Sequence, residues 1–119
     1  MSDDLGDFNT ALKLCCNQHR RIILAELINQ QRTLTLNDLT KAIIDHNHHL
    51  PITDVSDEKL EEVYLRVYHV HVPKLMDEGV VNYDHERQLV NPTPQLDQLQ
   101  PDIVRIIEID PELEISVAE

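Results

Sequence analysis

Between Ser56 and Pro92 the apolar residues change their period once, at Gly79, and that change constrains the fold more than any other feature of the chain. Up to Glu78 the segment reads as one long helix. Ser56 is a capping residue, Asp57 and Glu58 suit the positive end of the helix dipole, and Gly79 offers the left-handed conformation that ends helices. Beyond Gly79, the runs Val80 to Tyr83 and Gln88 to Val90 are β-prone, and the polar Asp84-His85-Glu86-Arg87 separates them as a hairpin turn would. Pro73 cannot donate to the carbonyl of His69, which predicts a kink. The helix carries two apolar stripes, one of Tyr64, Tyr68, Val72 and Leu75 and one of Val63, Val67 and Val70. The first suits a core; the second calls for cover from a partner or from the chain's own C-terminal part.

The residues before Ser56 supply the partners for that core. Leu5, Phe8, Leu12 and Cys15 recur at helical spacing, with Ser2 or Asp3 as a cap. Ile23, Leu24, Leu27 and Ile28 mark a second helix from about His19 to Gln30, whose exposed start carries Arg20 and Arg21, expected in ion pairs. Thr33-Leu34-Thr35 is a short β-prone stretch. Thr35 with Asp38 then forms a capping box for a third helix, on which Leu36, Leu39 and Ile43 face inward and which ends near His46. A loop with Pro51 spans Asn47 to Ser56. After Pro92 and Pro94, the segment from Gln95 to Asp110 fits a helix, broken at Pro101, better than a strand, and an acidic tail follows Pro111. The expected core comprises Ile23, Leu24, Leu27, Leu39, Ile43, Tyr68, Val72 and Leu75. Three helices followed by a two-stranded wing make a mainly α fold with a small β-hairpin, a winged helix-turn-helix. Residues 1–17 form an N-terminal helix, 18–92 the winged domain, and 93–119 a C-terminal helical segment with its tail.

Composition narrows the class. With 119 residues and 41% hydrophobic residues there is room for one packed domain, and with 3% aromatic residues its core is aliphatic. No apolar run is long enough to span a membrane and the N-terminus has no leader-like stretch, so a cytoplasmic protein without membrane association is expected. Cys15 and Cys16 are adjacent and lack CxxC spacing, which reads as two thiols near a helix end rather than a redox or metal site. The net charge of −12 is the wrong sign for an ordinary nucleic-acid binder. It suits either an acidic protein-binding surface or a cytoplasm rich in salt, where screening shrinks to about 3 Å at molar strength.

The block from His71 to Asp84 resembles the recognition helix and wing of ArsR-type regulators, which commonly read His-Leu-x-x-Leu-x-x-Ala-Gly-Leu-Val. Val67-Tyr68-His69-Val70-His71-Val72-Pro73-Lys74-Leu75 is more similar still to a haloarchaeal family of small winged-helix proteins of undefined function. Members of that family also carry an Arg-Arg pair, matched by Arg20-Arg21, and a Thr-Leu-x-x-Leu segment, matched by Thr35-Leu36-Asn37-Asp38-Leu39. The resemblance covers about Cys16 to Val90. It implies a winged helix that binds DNA, in an organism whose cytoplasm is salty. The chain departs from the regulator pattern in its long loop, in Pro73, and in the two-faced apolar long helix, where a base-reading helix shows a polar outer face.

Two functions from different classes follow. The first is a DNA-binding transcriptional regulator contacting duplex DNA through Lys59, Arg66, His69 and Lys74 on the helix and His85 and Arg87 on the wing. It would be a homodimer with Ile103, Ile106 and Ile107 in its interface. The second is a protein-interaction module that keeps the winged fold without reading DNA sequence. A basic stripe on the helix and wing favours the first; an apolar or acidic surface favours the second. Metal and cofactor are not expected. His46, His48 and His49 share a loop without a four-ligand pattern, and His69 and His71 point apart on a helix. No nucleophile context or Gly-rich phosphate loop marks an enzyme.

Overall fold

The computed structural model describes residues 4–48, 55–111 and 113. It is mainly helical with a small antiparallel sheet of three strands, compatible with a winged-helix arrangement. In chain order the elements are α1 (Asp4–Leu14), α2 (Gln18–Gln30), β1 (Leu34–Thr35), α3 (Leu36–His48), α4 (Asp57–Arg66), a π-helical turn (Val67–His71), α5 (Val72–Asp77), β2 (Val81–Asp84), β3 (Leu89–Pro92) and α6 (Pro94–Glu108). The residues offered as a first cap, Ser2 and Asp3, and most of the loop at Pro51 lie outside the described residues, as does most of the tail.

Local chemistry sets the boundaries. Asn17 Oδ1 accepts from the backbone N–H of Arg20 at 3.2 Å, capping α2. Thr35 and Asp38 form the reciprocal box that their spacing predicts: the Thr35 hydroxyl accepts from Asp38 N–H and the Asp38 carboxylate from Thr35 N–H, both at 3.0 Å. Ser56 caps α4 through Lys59 N–H at 3.1 Å. At the other end, Gly79 takes φ +76°. Its N–H donates to Met76 and the Val80 N–H to Leu75, the double closure of a Schellman turn, with Leu75 and Val80 buried together beneath it. The hairpin β2–β3 pairs Val81 with Pro92 and Asp84 with Leu89, and β1 adds to its other side through Leu34 opposite Val90.

One aliphatic core joins all of these. Ile23, Leu24, Leu27, Leu39, Ile43, Val72 and Leu75 are buried as expected. Tyr68 is not: it is 36% exposed, and Val63 and Val67 of the other stripe occupy the core instead. The cause is the π turn. Val72 N–H bonds the carbonyl of Val67, five residues back, and α-helical bonding resumes with Pro73 in the first turn of α5, where a missing N–H is tolerated. The extra residue rotates the helix so that Val67 and Val72 share the inner side, while Tyr68, His69 and Val70 face out.

The termini also differ from expectation. On α1 the buried residues are Ala11 and Leu14, with Cys15 following, and Phe8 and Leu12 of the proposed stripe are exposed. α6 runs through Pro101 without a break. It packs on α1 and α2, and buries Leu96, Leu99, Ile103, Val104 and Ile107. Ile103 and Ile107 are therefore already used inside the protomer, at 0% and 2% exposure, and cannot also form the seam assigned to them; Ile106 is half-buried. Arg21 clamps this end of the fold with an ion pair to Asp110 at 2.8 Å. Arg20, also expected in an ion pair, is buried and donates instead to the Leu14 carbonyl at 2.9 Å and to Cys16 Sγ at 3.1 Å. No helix among the described residues is long and apolar enough to cross a membrane.

Candidate functional site

The outward rotation at the π turn brings rings to the surface. Tyr68 and His69 lie with centroids 4.7 Å apart. Tyr68 meets Tyr83 of β2 at 6.0 Å, and Tyr83 meets His85 of the hairpin turn at 4.6 Å in an edge-on contact. The four rings form a strip from helix to hairpin, each of them exposed or half-exposed. Tyr64, one turn before Tyr68, is half-buried against the core and extends the strip into a groove of about 390 Å³ lined by Asn37, Thr40, Lys41, Leu60, Glu61 and Tyr64. Partial burial, the neighbouring phenols of Tyr68 and Tyr64, and the Asp84 carboxylate all push the Tyr83 hydroxyl's pKa up, so it stays protonated. The Asp84 carboxylate also accepts from the backbone N–H groups of Glu86 and Arg87, which fixes the turn that presents His85.

The charged residues assigned to DNA contact are only partly gathered. Lys59 and Arg66 lean on the same carboxylate, Glu62, at 3.7 and 3.9 Å. Lys74 borders a crevice with Lys13, Leu14, Arg20, Asp77 and Glu78, toward α1. His69 and His85 belong to the ring strip, and Arg87 is exposed in the hairpin turn. From Asp57 to Pro92, Lys59, Arg66, Lys74 and Arg87 are outnumbered two to one by eight carboxylates. Exposed apolar side chains share the helix: Leu65, Val70 and Met76 are each about 40% exposed. The helix–hairpin segment is acidic in sum, and its exposed side chains include aromatic and apolar ones.

The π turn also carries a buried polar group without a hydrogen-bond partner among the described residues. His71 is 3% exposed, and neither ring nitrogen has a hydrogen-bond partner among the described residues. Its ring meets His19 edge-on at 5.9 Å. Burial first, then the Arg20 guanidinium and the His19 and Arg66 side chains, push its pKa down to about 4, so it is neutral. Burial likewise raises the Cys15 thiol to about 12, which leaves it inert, while Cys16 is exposed. Among the described residues no three His, Cys, Asp or Glu side chains converge to hold a metal ion.

Sequence reasoning singled out His69 and His85 but missed the tyrosines as surface groups. A signal was present: of four large aromatic residues in the chain, three fall between Tyr64 and Tyr83. No curated protein and no solved structure matches the chain. One family does, and its match covers residues 12–91, from within α1 to the middle of β3, including every ring of the strip. The chain thus belongs to the family described as Domain of unknown function (DUF7344).

Proposed function

We propose that this chain is a winged-helix domain that works as a protein-docking module, with the outer face of α4, the π turn and α5, together with the hairpin, as its contact surface. One observation carries the reading: along the segment from Asp57 to Pro92, which holds the helix and hairpin that a winged helix brings to DNA, carboxylates outnumber Lys and Arg two to one, and Tyr68, Val70 and Met76 stand exposed. Duplex binding draws its affinity from neutralised phosphates, and an acidic face repels them. Exposed tyrosine and aliphatic groups are instead what protein interfaces bury at their centres.

A second reading, a dimeric DNA-binding transcriptional regulator, draws support from the exposed Arg87, His85 and His69, which form no ion pair among the described residues, and from the likeness of His71 to Asp84 to ArsR-type helices and wings. One experiment separates the two. A photo-crosslinking residue is placed at Val70 in the producing cell, with a second at Leu12 as control, and the purified protein is titrated with duplex DNA from low to molar salt. Docking requires a discrete protein adduct from position 70 and no saturable DNA binding. Saturable DNA binding that Arg87→Ala and His85→Ala abolish establishes the regulator and removes the docking reading.

A further inference from the structure

The ring cluster of this face has a chemistry that bears on its occupant. Tyr68 and Tyr83 are tilted by 57° with centroids 6.0 Å apart rather than stacked, and Tyr64 lines the adjoining groove one helical turn before Tyr68. An aromatic face carries partial negative charge and attracts a cation brought within about 6 Å of the ring centre. Carboxylates flank the cluster: Asp84 beside Tyr83, and Glu61 beside Tyr64 in the adjoining groove. The ring contacts of Tyr68 and Tyr83 are with each other and with the imidazoles of His69 and His85. Clustered phenols edged by carboxylates, in a chain of net charge −12, are complementary to a planar organic cation.

We propose that Tyr68 and Tyr83 receive the guanidinium of an arginine on a basic segment of a partner protein. This deepens the docking reading and rests on it. Guanidinium fits better than ammonium because it is flat, weakly hydrated and able to lie on a ring while its edge N–H groups reach a carboxylate. The same tyrosines could stack an unpaired nucleotide base. The flanking Asp84 and Glu61 oppose the phosphates that would come with it, and favour arginine.

The test uses the full chain and a blocked peptide of repeated Gly-Ser-Arg, followed through tyrosine fluorescence, which no tryptophan obscures here. Controls are the same peptide with citrulline for arginine, which keeps the shape and removes the charge, and a single-stranded oligonucleotide. The arginine peptide is expected to bind saturably, and the citrulline peptide about tenfold more weakly. Tyr68→Phe and Tyr83→Phe, which keep the ring, should bind within about twofold of the parent, whereas Tyr68→Leu and Tyr83→Leu should each lose about tenfold with unchanged circular dichroism. Equal binding of the citrulline peptide, or undiminished binding by the Leu variants, overturns the arginine assignment and leaves docking through this face standing. No binding of the arginine peptide overturns it also, and docking is then decided by the crosslink at position 70. Oligonucleotide binding that the Leu variants abolish overturns both.

Discussion

His71 makes the sharpest demand on its surroundings. A buried imidazole with two unpartnered nitrogens is tolerated only while neutral. Its pKa is about 4 in the fold against 6.5 in the open chain. Between those values the unfolded chain binds the proton and the folded one does not. The contribution is thus complete above the open-chain value and is lost as pH falls toward about 4, by up to about 3 kcal/mol. Urea titrations across this interval should show His71→Leu losing less stability than the parent; parallel losses would show that His71 does not set the dependence. Core and surface residues should separate equally clearly. Leu27→Ala and Leu75→Ala, at buried positions, should each cost about 2–5 kcal/mol, while Tyr68→Ala at the surface should cost about 1 kcal/mol or less. The inward positions of α3 were legible because one period runs through that helix, whereas α2 is buried nearly all round and adds Ile22 and Ala25 to the four positions its spacing marked. Tyr68 was not legible, because its place depends on a local change of winding that apolar spacing at 3.6 residues per turn does not reveal.

At the scale of elements, the two stripes of the long helix were read correctly as residues and wrongly as faces. Val63 and Val67 begin the buried side, and Val72 and Leu75 complete it. A step of five from Val67 to Val72 is the mark of a π turn, and Pro73 gives the physical reason for one. The capping box at Thr35, the stop at Gly79 and the hairpin were all legible, since each depends on residues within a few positions of one another. The place of α6 was not: an amphipathic helix after Pro94 shows that it needs a partner surface, and only the assembled fold shows that α1 and α2 provide it. A chain ending at Pro94 should therefore lose cooperative unfolding. Five buried aliphatic residues leave with α6, each worth about 2–5 kcal/mol on truncation, against about 5–15 kcal/mol for a whole domain. Thermal melts by circular dichroism would check this, and a sharp transition in the shortened chain would contradict it.

For the whole molecule, charge is the dominant quantity. Twenty-two acidic residues against ten Lys and Arg repel one another in the compact state, and dissolved salt relieves that repulsion over distances longer than the screening length. The melting temperature should rise from low salt to molar potassium chloride, and a flat profile would remove screening as a condition of stability. Sequence showed the sign and size of this charge. Only the fold showed which residues distant in sequence meet at the helix–hairpin face: Tyr68 with Tyr83, and Tyr64 with Asn37 and Thr40 beside a common groove.

The π turn between Val67 and His71 also has a genetic consequence. Removing one codon, that of Val70, would bring Val63, Val67, Val72 and Leu75 to spacings of four, four and three, an unbroken α-helical stripe. The same core would be kept and the exposed Val70 lost. Pro73 blocks this step by itself, since inside a regular helix it costs about 3 kcal/mol. Deletion of Val70 should be damaging alone and largely rescued by Pro73→Ala, so the π turn is lost without damage only by two changes made together.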